Sequence, residues 1–334
     1  MKPVSNIIST GLRHCYTASG EQIPCDGSGQ DAEYGIGIVT EGNRFDEQEN
    51  LVHDKLTGLT WLKQADVFTY PLAWDETLDA VTQLNKDKFL GYSDWRLPNR
   101  RELRSLISHG DKKPALQKDH PFRNLFLGWY WTSTTSALAP AYAWRVHFEG
   151  GRMFYGNKKD PSMGWPVRGE SSILAQTGQK NCFNVTGDRI KSEGSFQDGA
   201  LQMGKAWPDP RFKLTSYGVL DMMTGLIWAK EADLAGLVDW QGALDRIKDL
   251  NINSQLTWRL PNINELESLI DASQANPALP VGHPFENTNE AYWSSTTSFF
   301  ETDWAYALYL HKGAVGVGFK EKTEFYSWPV AGPL

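Results

Sequence analysis

Trp-Arg-Leu-Pro-Asn at 95–99, followed by Glu102, returns as Trp-Arg-Leu-Pro-Asn at 258–262, followed by Glu265. In each place the proline ends an extended segment. An Asn three residues ahead of a Glu then has the form of a capping box that opens a helix. On either side of this anchor other blocks recur in the same order. CYTASG (15–20) returns as CFNVTG (182–187), Gln30-Asp31 as Gln197-Asp198, and TGLTW (57–61) as TGLIW (224–228), all offset by 167 residues. The Trp-Arg-Leu-Pro block is offset by 163, so the second copy has lost four residues in between. Next come His-Pro-Phe at 120–122 and 283–285, YWTSTTS (130–136) with YWSSTTS (292–298), and WPVRG (165–169) with WPVAG (328–332). A period of roughly 165 residues is far beyond the 20–50 of solenoid repeats, so the chain reads as two whole domains in tandem. The expected division is a leader at 1–44, a first domain at 45–170, a linker and second leader at 171–211, and a second domain at 212–334. The join is short and polar, which predicts two domains linked but not fused into one core.

The same blocks give the coarse structure. Trp74, Leu78, Val81 and Leu84 form an apolar stripe at helical spacing, and Trp240, Leu244, Ile247 and Leu250 repeat it. Behind each capping box a second helix should bury Leu103, Leu106 and Ile107, or Leu266, Leu269 and Ile270. Strand-like segments follow at 130–136, 142–148, 153–155 and 165–168. Alternation places Tyr142, Trp144, Val146 and Phe148 on one face, with Trp304, Tyr306, Leu308 and Leu310 as counterparts. Each domain is thus expected to be α+β, two helices followed by a small antiparallel sheet.

Composition narrows the function classes. The 334 residues carry 33 Lys+Arg against 40 Asp+Glu, a net charge of −7, which disfavours general binding to nucleic acid or anionic membrane. Hydrophobic content of 40% and charged content of 22% are those of a globular chain. No apolar run approaches the length of a membrane span, and the opening MKPVSNIISTG lacks the apolar core of a signal peptide. That leaves either a cytoplasmic protein or a chain cut where a signal peptide ended. Fourteen Trp, 12 Tyr and 15 Phe fit an aromatic core or a ligand face. Trp61, Trp95, Trp131 and Trp165 all have counterparts, which assigns them to the core.

Cys15 and Cys25 lie in a short Gly- and Pro-containing loop that can close as a ring, with two free half-buried thiols as the alternative. Such a ring would restrict the unfolded chain by roughly 2–3 kcal/mol and imply an oxidising compartment. Ser192 stands where the second leader would need its other cysteine, so Cys182 is expected to be a buried free thiol. That leader should instead be held by packing of Phe183, Phe196 and Trp207 against the second domain.

The order TGL-x-W, Trp-led helix, Gly-Tyr-Ser-Asp-Trp-Arg-Leu-Pro with Glu-Leu, Tyr-Trp-Ser-Ser-Thr and terminal Trp-Pro-Val-Arg-Gly resembles the Lcl C-terminal domain family, a bacterial and usually secreted family. The segment 95–102 is also similar to a stretch of the formylglycine-generating, sulfatase-modifying superfamily. Both resemblances imply tandem C-type-lectin-like domains. The enzymes of that superfamily use a cysteine pair to hold copper, and here every cysteine sits in a leader. The chain is therefore expected not to be an enzyme, with no cofactor and no metal. No phosphate loop, H-E-x-x-H or G-x-S-x-G appears either.

Trp95, Arg96, Pro98 and Glu102, with Trp258, Arg259, Pro261 and Glu265, are expected to be structural. Arg96 and Arg259 would hold loop carbonyls, the alternative being an anion. His120 and His283 would serve hydrogen-bonded turns. Function is then expected on surfaces where the copies differ. Alternation points Arg145, His147 and Glu149 away from the core, opposite Ala307, Tyr309 and His311, and Trp129 has no aromatic counterpart. The candidate ligand-binding residues are Trp129, Arg145, His147, Arg152, Phe154, Tyr309 and His311. The expected partner is a glycan or cell-surface protein, with no nucleic acid and no membrane span. The rival reading is a structural or assembly subunit of a bacterial envelope complex, with an enzyme of the sulfatase-modifying type as a distant third.

Overall fold

The computed structural model describes residues 7–234 and 236–332. The first half runs β1 (Cys15–Tyr16), β2 (Gln22–Ile23), α1 (Asp31–Tyr34), β3 (Phe45–Glu47), β4 (Leu51–Asp54), β5 (Thr60–Leu62), α2 (Trp74–Lys86), α3 (Arg100–Arg104), β6 (Trp129–Thr135), β7 (Tyr142–His147), β8 (Met153–Asn157) and β9 (Val167–Arg168). The second half repeats the order with β10 (Cys182–Phe183), β11 (Arg189–Ile190), α4 (Asp198–Leu201), β12 (Phe212–Leu214), β13 (Val219–Asp221), β14 (Ile227–Trp228), α5 (Trp240–Leu250), β15 (Trp258–Arg259), α6 (Ile263–Ser268), β16 (Ala291–Thr297), β17 (Trp304–Tyr309), β18 (Ala314–Phe319) and β19 (Val330–Ala331). The protein is α+β with antiparallel sheets. Besides the leader hairpins β1–β2 and β10–β11, each copy holds a further unexpected sheet: β3, β4, β5 and β9 pair in the first copy, and β12, β13, β14, β19 and β15 in the second. The strands between α1 and α2, and between α4 and α5, are two to four residues long, too short to show a period in sequence.

Local chemistry sets the elements. Asn99 accepts from the N–H groups of Arg101 and Glu102, while Glu102 Oε2 accepts from the Asn99 N–H, so the capping box is formed. Asn262 and Glu265 repeat it at α6. The same Glu102 takes both Nη atoms of Arg96 at 2.8 and 2.9 Å, and Arg96 Nη2 also donates to the Gly169 carbonyl. Arg259, Glu265 and Gly332 form the equivalent set. The repeated arginine thus tethers the end of its own copy, and the anion it holds is the capping glutamate. Trp95 is fully buried, whereas Trp258 is partly buried; Pro98 and Pro261 sit in buried positions just ahead of the boxes. Trp61, Trp131 and Trp165 have no exposed surface. Leu250, expected in the second stripe, is exposed at the end of α5. The His120 and His283 rings stack on Phe122 and Phe285, but neither Nδ1 finds a hydrogen-bond partner.

The expectation of two separate cores is not met. β6, β7, β8, β18, β17 and β16 form one six-stranded sheet that crosses from copy to copy, β8 meeting β18 at Met153 and Val315. Those two residues are counterparts, so a pseudo-two-fold axis passes between them. One buried cluster continues through both copies, from Trp144, Val146 and Met153 to Tyr306, Leu308 and Val315, with α3 and α6 side chains beneath. A short polar linker does not prevent fusion when two sheet edges can complete each other.

The leaders cross over. Asp31 on α1 of the first leader accepts from Thr296 Oγ1 of the second copy at 2.7 Å, across 265 residues of sequence. Asp198 on α4 of the second leader accepts from Thr134 Oγ1 of the first copy, also at 2.7 Å. Lys158 Nζ donates to the carbonyls of Phe183 and Asn184, and its counterpart Lys320 donates to that of Thr17. Each ammonium lies 4.0 Å over a buried indole, Trp74 or Trp240. Phe183 therefore docks through Lys158 on the first domain, not the second as expected. Trp207 stays near the linker, donating to the Gln176 carbonyl beneath the Arg211 guanidinium. Phe196 has a positive φ of 54° in the turn before α4. The Cys15–Cys25 disulfide is formed, and Cys182 is a buried free thiol that accepts from Ser195 Oγ.

Candidate ligand-binding face

The face of the six-stranded sheet turned away from α3 and α6 is covered at its two flanks. Trp74 and Leu78 of α2 pack there with Trp131 and Ala143. Trp240, Leu244 and Ile247 of α5 pack with Trp293, Ala305 and Ala307. Ala307, expected to point into solvent, is thus buried under α5. The strip between the helices lies along the seam, and it collects the candidate side chains.

On the first copy's side, the rings of Trp129 and His147 meet edge to face at 4.7 Å. The Arg145 guanidinium lies 5.1 Å over Trp129 and 5.3 Å over Trp131, and its Nη1 donates to Ser162 Oγ. Arg145 is half-buried, so it does not project freely as alternation alone suggested. Across the seam, Phe154 and Tyr309 meet with centroids 6.0 Å apart, and Lys312 Nζ lies 5.4 and 4.9 Å over them. Gly316 makes this possible: a Cβ there would stand 2.6 Å from the Tyr309 ring and 3.0 Å from that of Phe154. Gly156 does the same beneath Arg145. His311 stands beside Tyr309, at 6.3 Å between rings, with its Nδ1 3.2 Å from the Glu290 carbonyl. Arg152 is exposed at the turn between β7 and β8. The structure brings Trp129, Arg145 and His147 together, and joins Phe154, Tyr309 and His311 across the copy boundary.

Electrostatics give the strip a neutral imidazole beside the cations of Arg145 and Lys312. Burial, then the nearby Arg152 cation, holds His147 below its ordinary value, so the ring is neutral at pH 7. The Glu149 N–H points at its Nδ1 at 3.4 Å, leaving Nε2–H to donate outward. Burial also lowers Lys312 and Arg145 and raises Tyr309. Among the described residues no three His, Cys, Asp or Glu side chains converge as a metal site would require, and no helix is long and apolar enough to cross a membrane.

Sequence reasoning missed Lys312 and the seam that makes Phe154 and Tyr309 neighbours. Its reading of α3 and α6 stopped at the capping boxes and the buried aliphatic residues. Arg100-Arg101-Glu102-Leu103-Arg104 stands opposite Ile263-Asn264-Glu265-Leu266-Glu267, so the three arginines are replaced by Ile, Asn and Glu inside an otherwise repeated block. That difference was the available signal.

No curated protein matches the chain. The Lcl C-terminal domain profile matches at residues 50–168 and again at 217–331, so the chain belongs to the Lcl C-terminal domain family and carries that domain twice.

Proposed function

We propose that this protein is a non-catalytic recognition module of two C-type-lectin-like domains, working outside the reducing cytoplasm and holding a glycan on the seam strip. The observation that carries this reading is the run of half-exposed rings, Trp129, Phe154 and Tyr309, interleaved with Arg145, His147, His311 and Lys312. Sugar C–H faces stack on such rings while hydroxyls bond the neutral imidazole and the cations. The Cys15–Cys25 disulfide supports an oxidising compartment. A glycan array on the full chain, followed by calorimetry of any hit, tests the proposal. Trp129→Ala and Tyr309→Ala should each weaken a hit at least tenfold. No glycan above background, or hits indifferent to both substitutions, would overturn it.

A second reading, docking of a partner protein in an envelope assembly, draws on a different place. Leu214, Tyr217, Leu234 and Leu250 are exposed around a cleft of about 390 Å³ on the second copy. A partner whose capture is lost in Leu214→Asp but kept in Tyr309→Ala would favour this reading over the glycan.

A further inference from the structure

On the other face of the sheet, where the pseudo-two-fold axis emerges between α3 and α6, lies a cavity of about 80 Å³. The leader residues Ile7 and Ile8, the linker residues Ile173 and Leu174, and Ile107 supply its apolar wall. Its polar wall is Arg101 and Arg104 of α3 against Asn264 and Glu267 of α6. Arg101 and Arg104 are 9% and 5% exposed. Arg101 Nη2 donates to the carbonyls of Ser268 and Ile270, but its Nε and Nη1 have no hydrogen-bond partner among the described residues. Arg104 donates to the Gly151 carbonyl and to Asn264 Oδ1, and its Nε is likewise unpartnered.

Ion pairing is different here. Elsewhere in the interior each buried arginine has its own carboxylate: Arg44 with Asp54, Arg96 with Glu102, Arg211 with Asp221, Arg259 with Glu265. Arg101 and Arg104, which line the cavity, have no such pair: Glu267 beside them stands 3.3 Å from Arg100 Nη2, and Asp221 and Asp271 act on Arg101 only from beyond ion-pair distance. Burying a guanidinium without a counter-ion is strongly unfavourable. Two buried guanidiniums that lack an ion pair of their own, with N–H groups left unbonded beside an apolar wall, are the complement of a carboxylate on a short hydrocarbon body.

We propose that this axial cavity binds a small aliphatic carboxylate, its carboxylate held by Arg101 and Arg104 and its chain against Ile7, Ile107 and Ile173. The site is separate from the seam strip and does not depend on it. Lys205, exposed at the rim, adds a third cation toward the entrance.

The test is calorimetric titration of the full chain with sodium butyrate and sodium hexanoate, with hexanol, hexylamine and inorganic phosphate as controls. One site per chain, tighter for hexanoate than butyrate and without response to hexanol or hexylamine, is expected. Arg101→Gln should weaken hexanoate at least tenfold, and Arg101→Lys should recover part of the loss. Should Arg101→Gln fail to fold, Ile173→Trp, which fills the cavity from the linker, and the rim change Lys205→Ala carry the test. The first should abolish binding and the second weaken it a few-fold, both with near-ultraviolet circular dichroism unchanged. Absence of hexanoate binding at 10 mM, equal binding of hexanol, tighter binding of phosphate, or binding unaltered by Ile173→Trp would each overturn the proposal.

Discussion

The two copies agree where each folds on itself and differ where they face one another. Capping boxes, the Arg–Glu pairs of Arg96 and Arg259, the buried indoles and the lysine clamps recur with nearly the same partners. The differences gather along the pseudo-two-fold axis, on both sides of the sheet. Phe154 stands against Gly316, His147 against Tyr309, and Arg104 against Glu267. Near such an axis a residue meets its own counterpart, so repetition is penalised. A side chain at 316 like that at 154 would collide with the ring already there. An arginine at 267 would face Arg100 and Arg104 with no carboxylate between them. The copies repeat where each stands alone and differ where apposition would bring like side chains together. The divergent axis is therefore where both candidate sites lie.

The largest expected effect tests the shared frame. Glu102→Ala and Glu265→Ala each leave a buried guanidinium uncompensated and should cost about 3–5 kcal/mol. If the copies are one cooperative body, either change lowers the midpoint of a single urea transition by a similar amount. Two resolved transitions, with only one moved, would show that the halves unfold independently.

Next in size is the difference between the leaders. Replacing Cys15 and Cys25 by Ser should cost roughly 2–3 kcal/mol on the loop-entropy account. No such step exists for Cys182, whose change to Ser should do little beyond altering its contact with Ser195. Thiol counting on the denatured, unreduced protein should find one reactive thiol. Three would refute the bridge.

The lysine clamps sharpen the comparison further. Lys158→Met and Lys320→Met keep the stems but remove ammonium groups that hold leader carbonyls, at about 1.5–3 kcal/mol each. Lys158→Met should expose the second leader to protease and Lys320→Met the first, with the disulfide limiting the latter. The reverse assignment would mean that the leaders are not exchanged.

The smallest effect is in pH. Burial lifts the Asp31 and Asp198 carboxyls to about 6, against the opposing hydrogen bonds from Thr296 and Thr177 respectively. Unfolded, such groups titrate near 3.9. Between those values the folded state holds the more protons, so their contribution is full below about pH 4 and is lost as pH rises through 6. His109, buried and held well below its ordinary value, acts in the opposite sense below pH 6.5. Moving from pH 7 to pH 5 should therefore raise the melting temperature of the native chain relative to the Asp31→Asn, Asp198→Asn double variant. Parallel curves for the two proteins would sink this assignment.

What the sequence determined was everything carried by local pattern and repetition. The doubled motif, the helices with their capping boxes, the strand alternation around Trp144 and Tyr306, the buried tryptophans and the family could all be read from residues close in the chain. Those features depend on periodicity and short-range hydrogen bonds, which a single segment displays. Tertiary structure alone decided that β8 would pair with β18, that Asp31 would reach Thr296 and Asp198 would reach Thr134, and that Arg101 and Arg104 would share a cavity with Glu267. Repetition says that two units exist but is silent on which unit each leader serves, because both partners carry the same complementary surface. That choice follows from the geometry of the whole chain, where fusing two sheet edges around an axis brings each leader over the opposite copy.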